Sequence, residues 1–315
     1  MNFSSNIYGH ADLSGLERHL CRHISCIRSY PEPSAHSLEG VIAREYGVEP
    51  GNVMATSGAV DAIWLVAQAL RRCGSFKVMG PSFSEYEDAC LAFGYQYAAD
   101  AAVCWICNPN NPTGHVYDED CVVELAKKHQ WLVADMSYED YTLWPMMTAR
   151  EALQYGNMVQ IRSMTKRYAV PGLRLGFIIA HEDVVAKLRK AYRPWAVNSM
   201  AIEAGKWLIG HGGMAVDNLK QYLQEAQRLR RNLMEIPGIA VMETQTNFML
   251  CTVEKRTAAM LKDYLARSHG MLIRDASNIK GLTQHHFRVA AQKPEENDAL
   301  VEAIKIFMED NRHGG

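Results

Sequence analysis

Apolar positions along this chain fall into short blocks separated by longer amphipathic stretches. Residues 53–58 (VMATSG), 76–80 (FKVMG), 95–99 (YQYAA), 103–108 (VCWICN), 131–137 (WLVADMS), 158–163 (MVQIRS) and 173–180 (LRLGFIIA) each predict a strand. Between several of them, AVDAIWLVAQALRR, SEYEDACLAFG and EDCVVELAKKHQ read as helices. Such alternation implies a mostly parallel sheet covered by helices on both faces. Sheets of this kind place ligands at the carboxyl ends of their strands. The pattern changes after residue 181. Residues 182–233 read as helical, with a Gly-rich break at 210–213. Then come GIAVMETQTNFMLCTV, a helix near 256–268, MLIRDA, HHFRVAA and a last helix from about 295. The expected fold is α/β. A segment over 1–29 packs with the small domain. A large domain over 30–212 carries a mostly parallel seven-stranded sheet. A small α+β domain covers 213–315.

Bulk properties narrow the function. The chain has 315 residues and is 48% hydrophobic, enough for a large core. Its 33 basic and 35 acidic residues nearly balance, which leaves no footprint for nucleic acid and no polybasic membrane signal. The longest apolar runs fall far short of the ~18–20 residues that span a bilayer. MNFSSNIYGHADLSG lacks the basic region and apolar core of a signal peptide, so a cytoplasmic protein is expected. Eight cysteines are scattered singly, apart from Cys104-x-x-Cys107. They read as reduced thiols, and CWIC alternates like a buried strand. No second CxxC or His pair completes a metal site with it, so no metal is expected.

Four strand ends carry the candidate chemistry. At Thr56-Ser57-Gly58 a strand gives way at once to a helix. Gly58 permits the tight turn, and the free N–H groups of Ala59 and Val60 favour an anion. CNPNNPTG makes a rigid loop whose asparagines can donate to a ligand oxygen. Asp135 ends an apolar strand, where a carboxylate needs a partner. A cationic ring nitrogen would serve, and so would a helix N-cap. Tyr138 could reach the same ligand. Lys166 in SMTKRYAVPGLRLGF precedes Arg174 by eight residues. An amine able to form a Schiff base, a carboxylate for a pyridinium nitrogen and a helix N-terminus for a phosphate together describe a site for pyridoxal 5'-phosphate. Ser163 and Arg174 would complete the phosphate cup.

The spaced set NPTG, D-x-x-Y and S-x-x-K-x7-R resembles that of fold-type I pyridoxal-phosphate enzymes of the aminotransferase class I/II group. Order and separations match across the whole chain. Within the group, FSSNI (3–7), YPEP (30–33), RPWAVN (193–198), TNFML (246–250), LIRDASN (272–278) and FRVA (287–290) are most similar to the threonine-phosphate decarboxylases of cobalamin biosynthesis. Histidinol-phosphate aminotransferases come next. The resemblance implies that Lys166 carries the cofactor and shuttles protons, that Asp135 holds the ring nitrogen, and that Asn111 and Tyr138 reach the ring hydroxyl. It implies Phe83 stacked on the ring, with Tyr86 the second choice. It implies Tyr30 on the cofactor phosphate of the other subunit of a homodimer. Arg288 would hold the substrate carboxylate and Arg274 a substrate phosphate, with Asn6 and Asn198 lining the pocket. For both arginines a structural ion pair is the other reading, with Asp275 adjacent to Arg274. In that group FSSNI follows an arm bearing a histidine and glycines. Here the motif starts two residues after Met1, so the expectation is either a start further upstream or a protein without the arm.

Overall fold

The structure, a computed structural model, describes residues 1–211 and 213–309. The expected domain boundary at 212 and the chain from 310 to 315 lie outside the described residues. Two helices open the chain, α1 (Ser14–His23) and α2 (His36–Tyr46). The alternating region follows: β1 (Val53–Thr56), α3 (Ala59–Leu70), β2 (Ser75–Val78), α4 (Glu85–Ala92), β3 (Gln96–Tyr97), β4 (Val103–Cys107), α5 (Glu119–Lys128), β5 (Trp131–Asp135), α6 (Ala149–Ala152), β6 (Met158–Ser163), α7 (Met164–Arg167) and β7 (Gly176–Ala180). Then come α8 (Glu182–Arg189), α9 (Ser199–Gly210), α10 (Leu219–Met234), β8 (Ile239–Val241), β9 (Phe248–Val253), α11 (Ala258–His269), β10 (Arg274–Asp275), β11 (His286–Ala290) and α12 (Pro294–Glu309).

The first seven strands form one sheet in the order β1-β7-β6-β5-β4-β2-β3. All pairings among β6, β5, β4, β2 and β3 are parallel, while β7 runs antiparallel to both β1 and β6. This arrangement positions the site. The carboxyl ends of β1, β4, β5 and β6 share one sheet edge. Because β7 is reversed, Arg174, two residues before its start, reaches the same edge. β4 is buried along its whole length, as a strand covered on both faces must be. Its residues alternate between two cores: Trp105 and Cys107 face one, Cys104 and Ile106 the other. Cys104 and Cys107 therefore point to opposite faces, and both are free thiols. Burial pushes Cys104 up to about 11 and raises Cys107 as well, which suits packing and not reactivity.

The second sheet is four-stranded and antiparallel, in the order β10-β11-β9-β8. Side chains from both sheets, among them Phe76, Trp105, Phe248 and Phe287, belong to one continuous core. Each such aromatic contributes about 1.5–3 kcal/mol on burial. No described helix is long and apolar enough to cross a membrane.

The hydrophobic pattern left α1 and α2 unpredicted. In α1 the apolar stripe is narrow, Leu16 and Leu20 among His and Arg residues, and it gains its partners only in the folded chain. The first 29 residues divide their contacts. Phe3 N–H donates to Leu272 O at 2.8 Å, and Ala290 N–H donates to Phe3 O at 2.8 Å, which ties the chain start to the small sheet. Leu16 instead packs with Leu38 of α2 and Ala201 and Ala204 of α9.

Candidate active site

Asp135 is the last residue of β5 and is only 4% exposed. Its Oδ1 accepts from Ser137 N–H at 2.9 Å and from Ser137 Oγ–H at 2.5 Å, and its Oδ2 accepts from Tyr86 Oη–H at 2.7 Å. Burial raises its pKa against these bonds and against the charge of Lys166. The carboxylate closes a turn through Ser137, so the helix N-cap reading does not apply.

Lys166 lies in α7, the short turn after β6. The residue is half-buried, and its Nζ donates to Ser5 O at 2.8 Å. Desolvation first, then the charges of Arg288 and Arg174, lower its pKa to about 7, with Asp135 acting the other way. Its backbone carbonyl accepts from Tyr141 Oη–H at 3.0 Å, which fixes the turn. The amine lies 5.7 Å from the centre of the Tyr138 ring, itself packed edge-on against Phe248 at 4.8 Å. Burial pushes the Tyr138 hydroxyl up to about 12.

At the same edge β1 runs into α3. Gly58 has φ +88, and a Cβ there would lie 2.6 Å from Arg174 Nη2. Only glycine lets the guanidinium approach this closely. No side chain caps α3, and among the described residues no acceptor meets the N–H of Ala59 or Val60. The Ser57 N–H is taken by Asp61 Oδ2 at 2.9 Å, so what Ser57 has left to offer is its hydroxyl. Ser163 is buried at the end of β6. Arg174 is exposed, with φ +52, and donates to Pro171 O at 3.3 Å. An uncapped helix N-terminus and a guanidinium that meets no carboxylate among the described residues make a basic cup.

The loop after β4 brings in Asn111. Its Oδ1 accepts from Arg288, which leaves its amide N–H free to point at a ligand. Gly114 closes this loop at φ +74. A Cβ there would lie 2.0 Å from Thr244 Oγ1, so the loop presses directly onto the second sheet's approach. Arg288 in β11 is 7% exposed and donates to Ser4 O as well as to Asn111. Among the described residues its Nε has no partner and no carboxylate meets it. Burial and the neighbouring Arg274 charge lower its pKa to about 10. Arg274 and Arg288 stand opposite each other in the β10–β11 register, on one face of the sheet. Arg274 is exposed and donates to Asn278 Oδ1 at 2.9 Å, while Asp275 accepts from Ser277 N–H. The adjacent acid therefore does not hold Arg274.

Asn6 is fully buried with φ +54, and neither atom of its amide makes a well-formed hydrogen bond, although it lies against the Tyr138 hydroxyl. Phe83 is half-buried and meets Tyr86 edge-on at 5.8 Å. Tyr86, weighed for stacking, is instead fully buried, stacks on Trp105 at 5.5 Å and binds Asp135. Tyr30 and Asn198 stand apart from this cluster. Tyr30 is 87% exposed against Trp195, and both it and Asn198 line a hollow of about 400 Å³. The Asn198 side chain caps α9, accepting from Ala201 N–H at 2.8 Å, and so is not brought to Lys166 within one chain. Sequence reading missed Tyr86 as a partner of Asp135, Ser137, Tyr141 and the carbonyls of Ser4 and Ser5. Only Ser137 had a local signal, since an Asp two residues before a Ser is a common side-chain turn.

Residues 95–304 match the family described as Aminotransferase class I and II. The crystal structure of L-threonine-O-3-phosphate decarboxylase from Porphyromonas gingivalis superposes with a TM-score of 0.94 at 32% identity, covering 98% of this chain and 100% of that one. The chain belongs to the aminotransferase class I and II family. It is a pyridoxal-phosphate-dependent enzyme of fold type I. Two curated relatives mark the range of similarity. Histidinol-phosphate aminotransferase from Thermoanaerobacter pseudethanolicus is 28% identical over 90% of this chain and 86% of its own length. Threonine-phosphate decarboxylase from Salmonella typhimurium is 25% identical over 98% of this chain and 91% of its own.

The residues fit the cofactor of this family, pyridoxal 5'-phosphate. The Gly58 cradle beside Arg174 and the open N-terminus of α3 suit its phosphate. The buried Asp135 suits a ring nitrogen that carries a proton. The Lys166 amine feels the charges of both Arg174 and Asp135, as an amine serving the same ligand would.

Proposed function

We propose that this enzyme decarboxylates L-threonine O-phosphate to aminopropanol phosphate, a step of cobalamin biosynthesis. The observation that carries the reading is the pair of guanidinium groups of Arg274 and Arg288, register partners on one sheet face that bond to neutral oxygens and meet no carboxylate among the described residues. A substrate with two anionic groups suits such a pair. Arg288 takes the carboxylate, Arg274 the phosphate, and Asn6 offers both ends of its amide. The choice of decarboxylation rests on the similarity to the Porphyromonas gingivalis decarboxylase.

Pyridoxal phosphate, when bound, supplies an electron sink beside the substrate Cα. Lys166 would hold it, Asp135 would keep the ring nitrogen protonated, and Asn111 and Tyr138 would donate to the ring hydroxyl. Phe83 would pack against the ring. The backbone of Gly58, Ala59 and Val60, with Ser57, Ser163 and Arg174, would hold the phosphate. Arg288 and Arg274 would fix the two anionic ends of the substrate and so orient its Cα, from which the carboxylate would leave as carbon dioxide. A lysine whose pKa is about 7 is a ready acid near neutrality, and Lys166 Nζ then returns a proton to Cα. We further place the enzyme in the cytoplasm as a homodimer. Its first 29 residues, the large unit from 30 and the small C-terminal unit are arranged so that Tyr30 reaches the other subunit's phosphate site, with Asn198 beside it. Active enzyme that sediments as a monomer would overturn the shared site.

A second reading is an aminotransferase for a phosphorylated amino acid, favoured by the 28% identity to a histidinol-phosphate aminotransferase. There Lys166 moves a proton from Cα instead. One incubation separates the two. Threonine phosphate alone should release carbon dioxide and aminopropanol phosphate. If it yields glutamate from 2-oxoglutarate and no carbon dioxide, the decarboxylase reading fails and the aminotransferase stands.

A further inference from the structure

Away from the active site, α1 crosses α9, and the contact is polar where neighbouring turns are apolar. His19 Nε2 lies 2.9 Å from Glu203 Oε1, and His23 Nε2 lies 4.0 Å from the same oxygen. The two histidines are four residues apart on one helix, so they share a face. Their rings stack at 4.2 Å. His23 Nδ1 lies 2.9 Å from the His19 carbonyl oxygen. The carbonyl accepts from Nδ1–H, which leaves Nε2 as the ring nitrogen turned toward Glu203. The three ligand atoms lie within 4.8 Å of one another. Zinc–ligand bonds of ~2.0–2.2 Å set tetrahedral edges of about 3.3 Å, so movements below about 1 Å would close the set.

We propose that His19, His23 and Glu203 form a divalent-cation site of the zinc class that clasps α1 to α9. Two imidazoles and one carboxylate match the ligand preferences of Zn²⁺, and three protein ligands leave a position for water. Lys206 Nζ donates to Glu203 Oε2 at 2.9 Å and holds the carboxylate in place. Lys206 occupies the second carboxylate oxygen and leaves Oε1 to the metal. Trp207, one turn along α9, has its ring 5.8 Å from that of His19 and limits how far the imidazole can swing. The site is separate from the catalytic cluster: none of Lys166, Asp135 or Arg288 contacts it. Its role is structural, since α1 leads through 24–28 into the Tyr30 segment.

The test uses the holoenzyme, dialysed against chelator and then titrated with ZnCl₂ by calorimetry, with thermal unfolding followed in parallel. One equivalent per chain should bind and raise Tm. His23→Gln should weaken binding by more than the ~10–100-fold typical of losing an outer hydrogen-bond partner of a metal ligand. Glu203→Gln should do the same, while Lys206→Met should not weaken it. Because Cys21 is exposed and Cys26 lies nearby in sequence, Cys21→Ser and Cys26→Ser are titrated too. If those variants abolish binding and His23→Gln does not, the zinc sits on thiols and the proposal fails. It fails also if wild type takes up no equivalent. The histidines would then only brace Glu203. His23→Gln that misfolds is distinguished by circular dichroism, with His19→Gln as the replacement variant.

Discussion

The two ends of the active site are built differently. At the Asp135 end, one parallel sheet supplies nearly everything, and the carboxylate accepts three hydrogen bonds from two neighbours. At the Arg288 end, three distant segments meet: the N-terminal residues Ser4 to Asn6, the loop at Asn111, and β10–β11. There the bonds go to neutral oxygens, and among the described residues the buried Arg288 Nε and both amide atoms of Asn6 make no well-formed hydrogen bond. Buried polar groups without partners are costly, so such atoms mark places where binding can recover free energy. The contrast suggests a cofactor end set before any ligand arrives and a substrate end completed by the substrate.

Lys166 tests this contrast most severely, since it bonds to Ser5 and senses charges from both ends. Lys166→Ala should lower turnover by at least ~10⁴-fold and remove the visible absorbance band, with the fold intact by circular dichroism. Substantial turnover without added amine would show that the centre lies elsewhere.

Legibility from sequence followed the same divide. The residues proposed for the cofactor end carry a sequence signal because each sits at a strand end inside a local motif, NPTG, D-x-x-Y or S-x-x-K. The strands themselves announced their positions through short apolar runs, and the seven-stranded sheet came out as expected. The reversal of β7, which brings Arg174 to the edge, has no local signal. Nor has the contact between Tyr86 and Asp135, because it joins residues 49 apart. Asn198 illustrates the opposite case. Its side chain serves the start of α9, a local use that a motif match does not reveal. The N-terminal carbonyls that meet Lys166 and Arg288 were invisible for a simpler reason: backbone acceptors carry no residue signature.

A smaller effect separates the two arginines. Arg274 is exposed and holds only Asn278, whereas Arg288 is buried among its partners. Arg274→Ala should therefore leave the fold unchanged and weaken threonine phosphate by roughly 10–100-fold, the value of a charge-assisted contact, with little change for threonine. Equal losses for the two ligands, read as KM or as spectral titrations, would show that Arg274 does not meet the phosphate. The substrate end would then have a single anionic anchor.

Tyr86→Phe should have the smallest effect, and it tests how the cofactor end is held. The ring still stacks on Trp105, so only the hydroxyl at Asp135 Oδ2 is removed. Burial already raises the Asp135 pKa, and the bonds from Ser137 and Tyr86 work against that rise. Without the hydroxyl the pKa climbs further. Asp135 acts as a carboxylate, so the acid limb of the rate profile should move to higher pH, with a modest loss of rate on the plateau. Stability carries the same sign. An acid whose pKa is raised by folding binds more protons folded than unfolded, so its contribution falls as pH rises from the unfolded to the folded pKa. The variant widens that window. Relative to wild type it should lose more Tm at pH 7 than at pH 4, with a cost of about 1–3 kcal/mol for the missing hydrogen bond at neutral pH. An unchanged acid limb together with equal Tm losses at both pH values would mean that Ser137 alone holds Asp135. The cofactor end would then be no more firmly built than the substrate end opposite it.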